Sequence, residues 1–102
     1  MKPVIKNEAS HSNPLLGPQD GELDYVMLLV KHKPGESSPD HTHPWEHQAF
    51  ITEGSGILVC DGNEYPIKRG DAILVPRNVR HQFKNTGNTP LERVTVNPTE
   101  SL

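Results

Sequence analysis

Glycine and proline interrupt this sequence so often that little of it can be helical. Its 102 residues include eight glycines and ten prolines, and the longest stretch that contains neither, 22–33, has 12 residues. Between the breaks, apolar residues form short β-branched runs instead of the i, i+3, i+4 stripe of an amphipathic helix. Strands are therefore predicted to contain residues 25–30, 49–51, 57–60, 65–67, 72–75 and 94–96.

Turn signals at short intervals predict how these strands are connected. Asp61 and Gly62 separate two predicted strands and both tolerate positive φ, which is typical of a tight β-hairpin. Many short strands with frequent turns favour an antiparallel sandwich or barrel. We expect residues 1–22 to form an N-terminal arm and residues 23–102 to form a single domain. The arm is either exchanged between the subunits of a dimer or a frayed terminus.

The apolar content is low for a domain of this size. Apolar residues make up 32% of the chain, and mean hydropathy is −0.64. Small domains bury a smaller fraction of their surface than large ones, so a thin core calls for support from a bound metal or a partner subunit. We expect a homodimer that forms through sheet edges and the N-terminal arm.

Several functional classes are disfavoured by composition. The chain has ten Lys and Arg residues and thirteen Asp and Glu residues, and its basic residues do not form a block. This composition argues against nucleic-acid binding. The sequence has no apolar run long enough to cross a membrane and no apolar stretch like that of a signal peptide near its start, so we expect a soluble, cytoplasmic protein. Cys60 is the only cysteine, which excludes an intrachain disulfide and a cysteine-based zinc site.

Four of the six histidines are concentrated in one part of the sequence, at His41, His43, His47 and His81. His41 and His43 are two positions apart, so on an extended backbone their rings share a face. Neutral imidazole is a good ligand for first-row transition metals, and three rings within seven residues plus a distant fourth predict a metal site. The alternatives are histidines with structural hydrogen bonds, or an exposed loop that binds metal adventitiously.

The residues around these histidines resemble the two signatures of the cupin superfamily. The first signature is matched by Gly35, His41, His43, His47 and Gly54, with His47 where the family usually has glutamate. The second is matched by Gly70, Pro76, Asn78, His81 and Asn85, with Asn78 in place of the usual glycine. Asn is the non-glycine residue that best accepts positive φ, so the second departure is mild.

This resemblance implies an all-β fold, a small jelly-roll barrel with a metal ion inside. It implies His41, His43, His47 and His81 as metal ligands, as in a subset of small manganese-binding cupins with four histidines. Manganese is the first choice of ion, and iron, nickel, copper, zinc and cobalt are alternatives. Glu46 would be a ligand only if the backbone bulged there.

Four imidazoles in an octahedral shell leave two positions for water, oxygen or a chelating substrate. One reading is therefore a metal-dependent dioxygenase, oxidase or isomerase that acts on a small chelating molecule. The other is a non-catalytic cupin that binds a sugar or an organic acid, with the metal positioning the ligand or supporting the fold. Candidates for a general base are Tyr25, Glu46 and Asp40.

The last predicted strand has two possible registers. Either Val94 and Val96 line the barrel, or Arg93 and Thr95 do, with Arg93 near a substrate anion and Thr95 near the ion. We favour the second register, because Val94 and Val96, together with Leu91, would then be free to pack against a partner subunit. If His47 faces inward, Ala49 and Ile51 do too, while Phe50 faces outward.

Overall fold

The computed structural model describes residues 2–7 and 13–102 and is built almost wholly of strands. They are β1 (Tyr25–His32), β2 (His47–Glu53), β3 (Ser55–Cys60), β4 (Asn63–Lys68), β5 (Ala72–Val75), β6 (His81–Lys84) and β7 (Leu91–Pro98). Two single-turn 3₁₀ helices, Pro18–Asp20 and Thr99–Ser101, flank the strands in the described part of the chain. Within these same residues, no helix is long and apolar enough to span a bilayer.

The strands form two antiparallel sheets that pack into a small jelly-roll barrel. One sheet has the order β1-β7-β2-β5 and the other has the order β4-β3-β6. Several neighbouring strands are distant in sequence, as is typical of jelly rolls, because the chain passes repeatedly from one sheet to the other. The predicted all-β class and barrel are confirmed.

The three positions that the sequence marks as tolerant of positive φ have it. Asp61 and Gly62 have φ values of 51° and 79°, and they join β3 to β4 where Cys60 pairs with Asn63. Asn78, which stands where the cupin signature has glycine, has a φ of 62°. An asparagine therefore meets the backbone requirement there with little strain.

The inward face of each central strand follows a period of two. On β2, His47, Ala49 and Ile51 are buried while Phe50 is exposed, as predicted. On β7 the favoured register is correct, because Arg93 and Thr95 are buried and the intervening side chains are only half-buried.

The prediction for Leu91 was wrong. It was grouped with Val94 and Val96 as a residue for a partner subunit, but it is fully buried in the barrel core. Leu91 is two positions from Arg93, so the alternation of a strand places both on the inward face. The rest of the apolar core comes from both sheets, at Ala49, Ile51, Leu58, Ile67, Val75 and Phe83.

Part of the N-terminal arm lies along β1 of the same chain. Leu16 forms an isolated antiparallel bridge with Met27, and the side-chain amide of Asn13 both donates to and accepts from the backbone of Leu29. These contacts cover the outer edge of the four-stranded sheet. Residues 1 and 8–12 of the predicted arm lie outside the described residues, and exchange of the arm between subunits stays a prediction.

Candidate metal centre

The four histidines reach one end of the barrel from three separate parts of the chain. His47 is the first residue of β2 and His81 is the first residue of β6. His41 pairs with His81 in an antiparallel bridge, in which each backbone N–H donates to the other residue's carbonyl at 3.2 and 3.0 Å. The carbonyl of His43 accepts from the backbone N–H of Asn78 at 2.8 Å. Backbone hydrogen bonds thus fix the positions of the Cα atoms from which the side chains of His41, His43 and His81 extend.

The imidazole rings converge. The ring of His43 lies 4.8 to 5.1 Å from those of the other three histidines, measured between centroids. His41, His43 and His81 each offer a ring nitrogen, and these three atoms lie within 4.8 Å of one another. These three histidines are therefore close enough together to hold a metal ion.

His47 approaches this group from the side of His81. The Nε2 atoms of His47 and His81 are 3.0 Å apart. Two nitrogens bound at right angles to one ion, each about 2.1 Å from it, would be separated by about the same distance. The spacing of this pair therefore suits two neighbouring ligands of one octahedral ion.

Backbone carbonyls fix the tautomers of two rings. Nδ1 of His43 donates to the carbonyl of Trp45 at 2.9 Å, and Nδ1 of His81 donates to the carbonyl of Val79 at 2.8 Å. The proton on Nδ1 leaves the Nε2 lone pair of each ring free for a metal. Such outer hydrogen bonds also hold the rings in orientation.

The surroundings favour the neutral form of three of the four rings, and metal binding requires that form. Burial, followed by the neighbouring His81 and His43, lowers the pKa of His47 to about 3. Burial also lowers the pKa of His41 and of His81. His41, His47 and His81 are therefore uncharged at neutral pH.

The carboxylates next to the histidines in sequence are not part of the histidine group. Asp40 is exposed, and its carboxylate accepts from Arg80 at 3.0 Å. Glu46 is exposed and lies outside the histidine group, as expected for a residue one position from the inward-facing His47. The donor set that the described residues bring together is composed of histidines.

A cavity of about 490 Å³ adjoins His47 on the outer side of the centre. Tyr25 and Glu46, two of the candidate general bases, both line it together with Trp45 and Arg77. Tyr25 is 66% exposed, so its phenol faces this open cavity and not the barrel interior. The structure therefore separates these two candidates from Arg93 and Thr95, which lie inside the barrel.

The sequence did not predict three contacts near the centre. The indole of Trp45 stacks on His43 with a centroid distance of 4.6 Å and an angle of 9° between the planes. The guanidinium of Arg93 lies over the ring of Phe83, 4.0 Å from its centroid, and donates to His32 at 2.9 Å. The sequence does offer a signal for Trp45, because this residue lies between the predicted ligands His43 and His47. The contacts of Arg93 had none, because they join residues on three different strands.

A family model described as a cupin domain matches residues 28–97, a range that includes all four histidines. An oxalate-binding protein from Thermotoga maritima is 37% identical over 97 residues, which are 94% of this chain and 72% of that protein. A gentisate 1,2-dioxygenase from a Ralstonia species is 39% identical over 67 residues, which are 65% of this chain and 18% of the dioxygenase.

Among solved structures, the polyketide cyclase RemF from Streptomyces resistomycificus is similar with a TM-score of 0.78 and 31% sequence identity. The match covers 84% of this chain and 62% of that one. The chain spans about half the length of three further curated relatives from Streptomyces. These comparisons agree with the jelly-roll fold.

Proposed function

This chain belongs to the cupin family, and on that premise we propose that it binds a divalent transition metal through all four clustered histidines. The ligands are His41, His43, His47 and His81. The observation that carries the proposal is their convergence, with the Nε2 atoms of His47 and His81 3.0 Å apart. Manganese is the first choice of ion, with iron, nickel, copper, zinc or cobalt as alternatives, because imidazole serves all of them.

The proposed activity is oxygenase- or isomerase-type chemistry on a small chelating substrate. An ion held by four imidazoles would supply Lewis-acid or dioxygen-binding chemistry at the two coordination positions that the histidines leave open. Because the ligands are neutral, they do not offset the ion's charge, and anionic oxygen donors are favoured. Thr95 and Arg93 line the barrel interior, while Tyr25 and Glu46 offer a phenol and a carboxylate for proton transfer from the outer cavity.

The similar proteins support this class without naming a substrate for this chain. One is named for a dioxygenase reaction and another for a cyclase reaction. The alternative is a non-catalytic cupin that binds an organic acid or a sugar, in which the metal positions the ligand or supports the fold. The similarity to an oxalate-binding protein favours this second candidate.

To test this proposal, metal-stripped protein is loaded with Mn²⁺ and its metal content is measured. Water bound to the metal is then followed by proton relaxation. We expect about one ion per chain, and a fall in relaxation enhancement when oxalate displaces water. A protein that takes up no metal would contradict the proposed centre. Ligand exchange without oxygen consumption or isomerisation of any tested substrate, in either the manganese or the iron form, would favour the non-catalytic candidate.

A further inference from the structure

Arg93 is a buried cation inside the barrel. Its side chain lies on the inward face of β7, the residue is 6% exposed, and its Nε–H is buried with no hydrogen-bond partner among the described residues. Burial lowers the pKa of Arg93 to about 10, so the guanidinium remains charged at neutral pH. A charge in this position has lost most of its hydration.

The described part of the barrel interior provides no negative charge to balance Arg93. The buried polar residues are Ser38, His47, His81, Asn85, Arg93 and Thr95. The ion pairs within the described residues link Lys6 to Asp20, Lys31 to Glu92 and Arg80 to Asp40. A buried charge without a partner is costly, and proteins usually retain one only where it is paired or has a function.

The contacts of Arg93 place it beside the histidine centre. The guanidinium covers one face of Phe83, and the ring of His47 contacts the same phenylalanine edge-on at 6.4 Å between centroids. Phe83 is also two positions from His81 on β6. Arg93 and the centre are thus one aromatic ring apart.

His32 holds one edge of the guanidinium and leaves another edge free. Nη1 of Arg93 donates to Nε2 of His32 at 2.9 Å, which fixes the plane of the guanidinium. The Nε–H stays available. An arginine held in this way is prepared to donate to a planar anion, for which its fork of N–H groups is well suited.

We propose that Arg93 binds an anionic group of the ligand, so that the site selects molecules with a chelating oxygen end and a second, distal carboxylate. This inference rests on the proposed function for the chelating end, which the histidine-bound ion would hold. The ligand's distal carboxylate would pair with Arg93 and supply the charge that the described barrel interior lacks. The ligand class is therefore a small dicarboxylate whose first carboxylate carries a neighbouring hydroxyl or keto oxygen.

The experiment compares two probes that differ only at the distal end. Malate has the second carboxylate, and 2-hydroxybutanoate has a methyl group in its place. Their affinities are measured by calorimetry for manganese-loaded and metal-free protein, in the wild type and in Arg93→Met, Arg93→Lys and Arg77→Met. Arg77 is the matched control, because it is an exposed arginine that lines the outer cavity.

We expect the wild type to bind malate at least about tenfold more tightly than 2-hydroxybutanoate, since a desolvated charge pair commonly contributes that much. Arg93→Met should remove this preference while metal content and the melting temperature of the metal-free protein stay close to wild type. Arg93→Lys should keep part of the preference, and Arg77→Met should keep all of it.

Equal affinities for the two probes in the wild type would overturn the inference, as would a preference that survives in Arg93→Met or disappears in Arg77→Met. Should Arg93→Met fail to fold, Arg93→Lys decides, and an undiminished preference there would contradict recognition by the arginine fork. Failure to load manganese would count against the proposed centre alone, because the metal-free protein still tests whether Arg93 selects the distal carboxylate.

Discussion

The Nε2 atoms of His47 and His81 lie 3.0 Å apart, although the two residues are 34 positions apart in the sequence. His47 begins β2 in the four-stranded sheet, and His81 begins β6 in the three-stranded sheet. An ion bound between them would therefore cross-link the two layers of the barrel. Because such an ion binds only the folded chain, metal binding should also stabilise the protein.

His81→Ala should lower the affinity for Mn²⁺ by at least about tenfold and remove most of the rise in melting temperature that Mn²⁺ causes in the wild type. The reason is that His81 contacts each of the other three histidines of the group. Metal content is measured by elemental analysis after dialysis. His32→Gln is the control, since it removes a histidine that lies outside the cluster, and it should load metal normally. Unchanged metal content in His81→Ala would refute the four-histidine assignment.

Two substitutions of His47 test whether it is a metal ligand. His47→Ala should weaken metal binding, whereas His47→Glu should retain it, because the cupin signature usually has a carboxylate in that position. Glutamate also adds a negative charge to the site, so it should reduce the affinity of metal-loaded protein for oxalate. The measurements are metal content and calorimetry with oxalate. Equal metal content in the alanine variant and the wild type would show that His47 is not a ligand.

The stability of the metal-free protein should fall as the pH is lowered below about 6.5. In the folded protein, burial lowers the pKa of His47 to about 3, and it also lowers the pKa of His41 and His81. In the unfolded chain these rings titrate near 6.5, so the unfolded state takes up protons first and is favoured as pH falls from about 6.5 towards about 3.

This pH dependence is measured as the urea midpoint at pH 7.0 and pH 5.5, a range in which ordinary carboxylates stay ionised. The midpoint should be lower at pH 5.5, and the decrease should be smaller in His47→Gln. A midpoint that is equal or higher at pH 5.5 would contradict the neutral, buried state of these histidines.

Gly54→Ala should destabilise the protein by about 2 kcal/mol or more. Gly54 has a φ of 86°, and a Cβ atom there would clash with the carbonyl oxygen of Pro90. Gly35 is a matched control with the same φ of 86° but open space around the added atom. Gly35→Ala should therefore cost only the backbone strain, about 1 kcal/mol. Urea unfolding of both variants checks this, and equal losses would refute the clash.

We propose that the outer face of the four-stranded sheet forms a homodimer interface. Phe50 is 48% exposed there and Leu74 is 57% exposed, and with Val94 and Val96 they line an apolar groove. Phe50→Glu should convert a dimer into a monomer at micromolar concentration, measured by light scattering. Tyr65→Glu alters an equally exposed aromatic residue on the other sheet, at 49%, and should leave the dimer intact. A monomeric wild type would defeat the proposal.

The sequence alone was enough to predict β1 to β5 and β7, the hairpin at Asp61 and Gly62 and the positive φ of Asn78, whereas the short strand β6 was not among the predicted strands. These features depend on local preferences, namely β-branched runs and residues that accept a left-handed backbone. The spacing of the histidines, together with the resemblance to the cupin signatures, also predicted that they would meet. The inward positions of Ala49, Ile51, Arg93 and Thr95 followed from the alternation of a strand once one residue of each strand was assigned a side.

Only the tertiary structure decided which distant residues touch. It placed Leu91 in the core, stacked Arg93 on Phe83 against His32, and put Tyr25 and Glu46 on an outer cavity away from Arg93. These relationships depend on strand neighbours such as β1 with β7 and β7 with β2, whose residues are far apart in sequence. Local sequence preferences do not determine the order of the strands, because that order depends on how the two sheets close around one core.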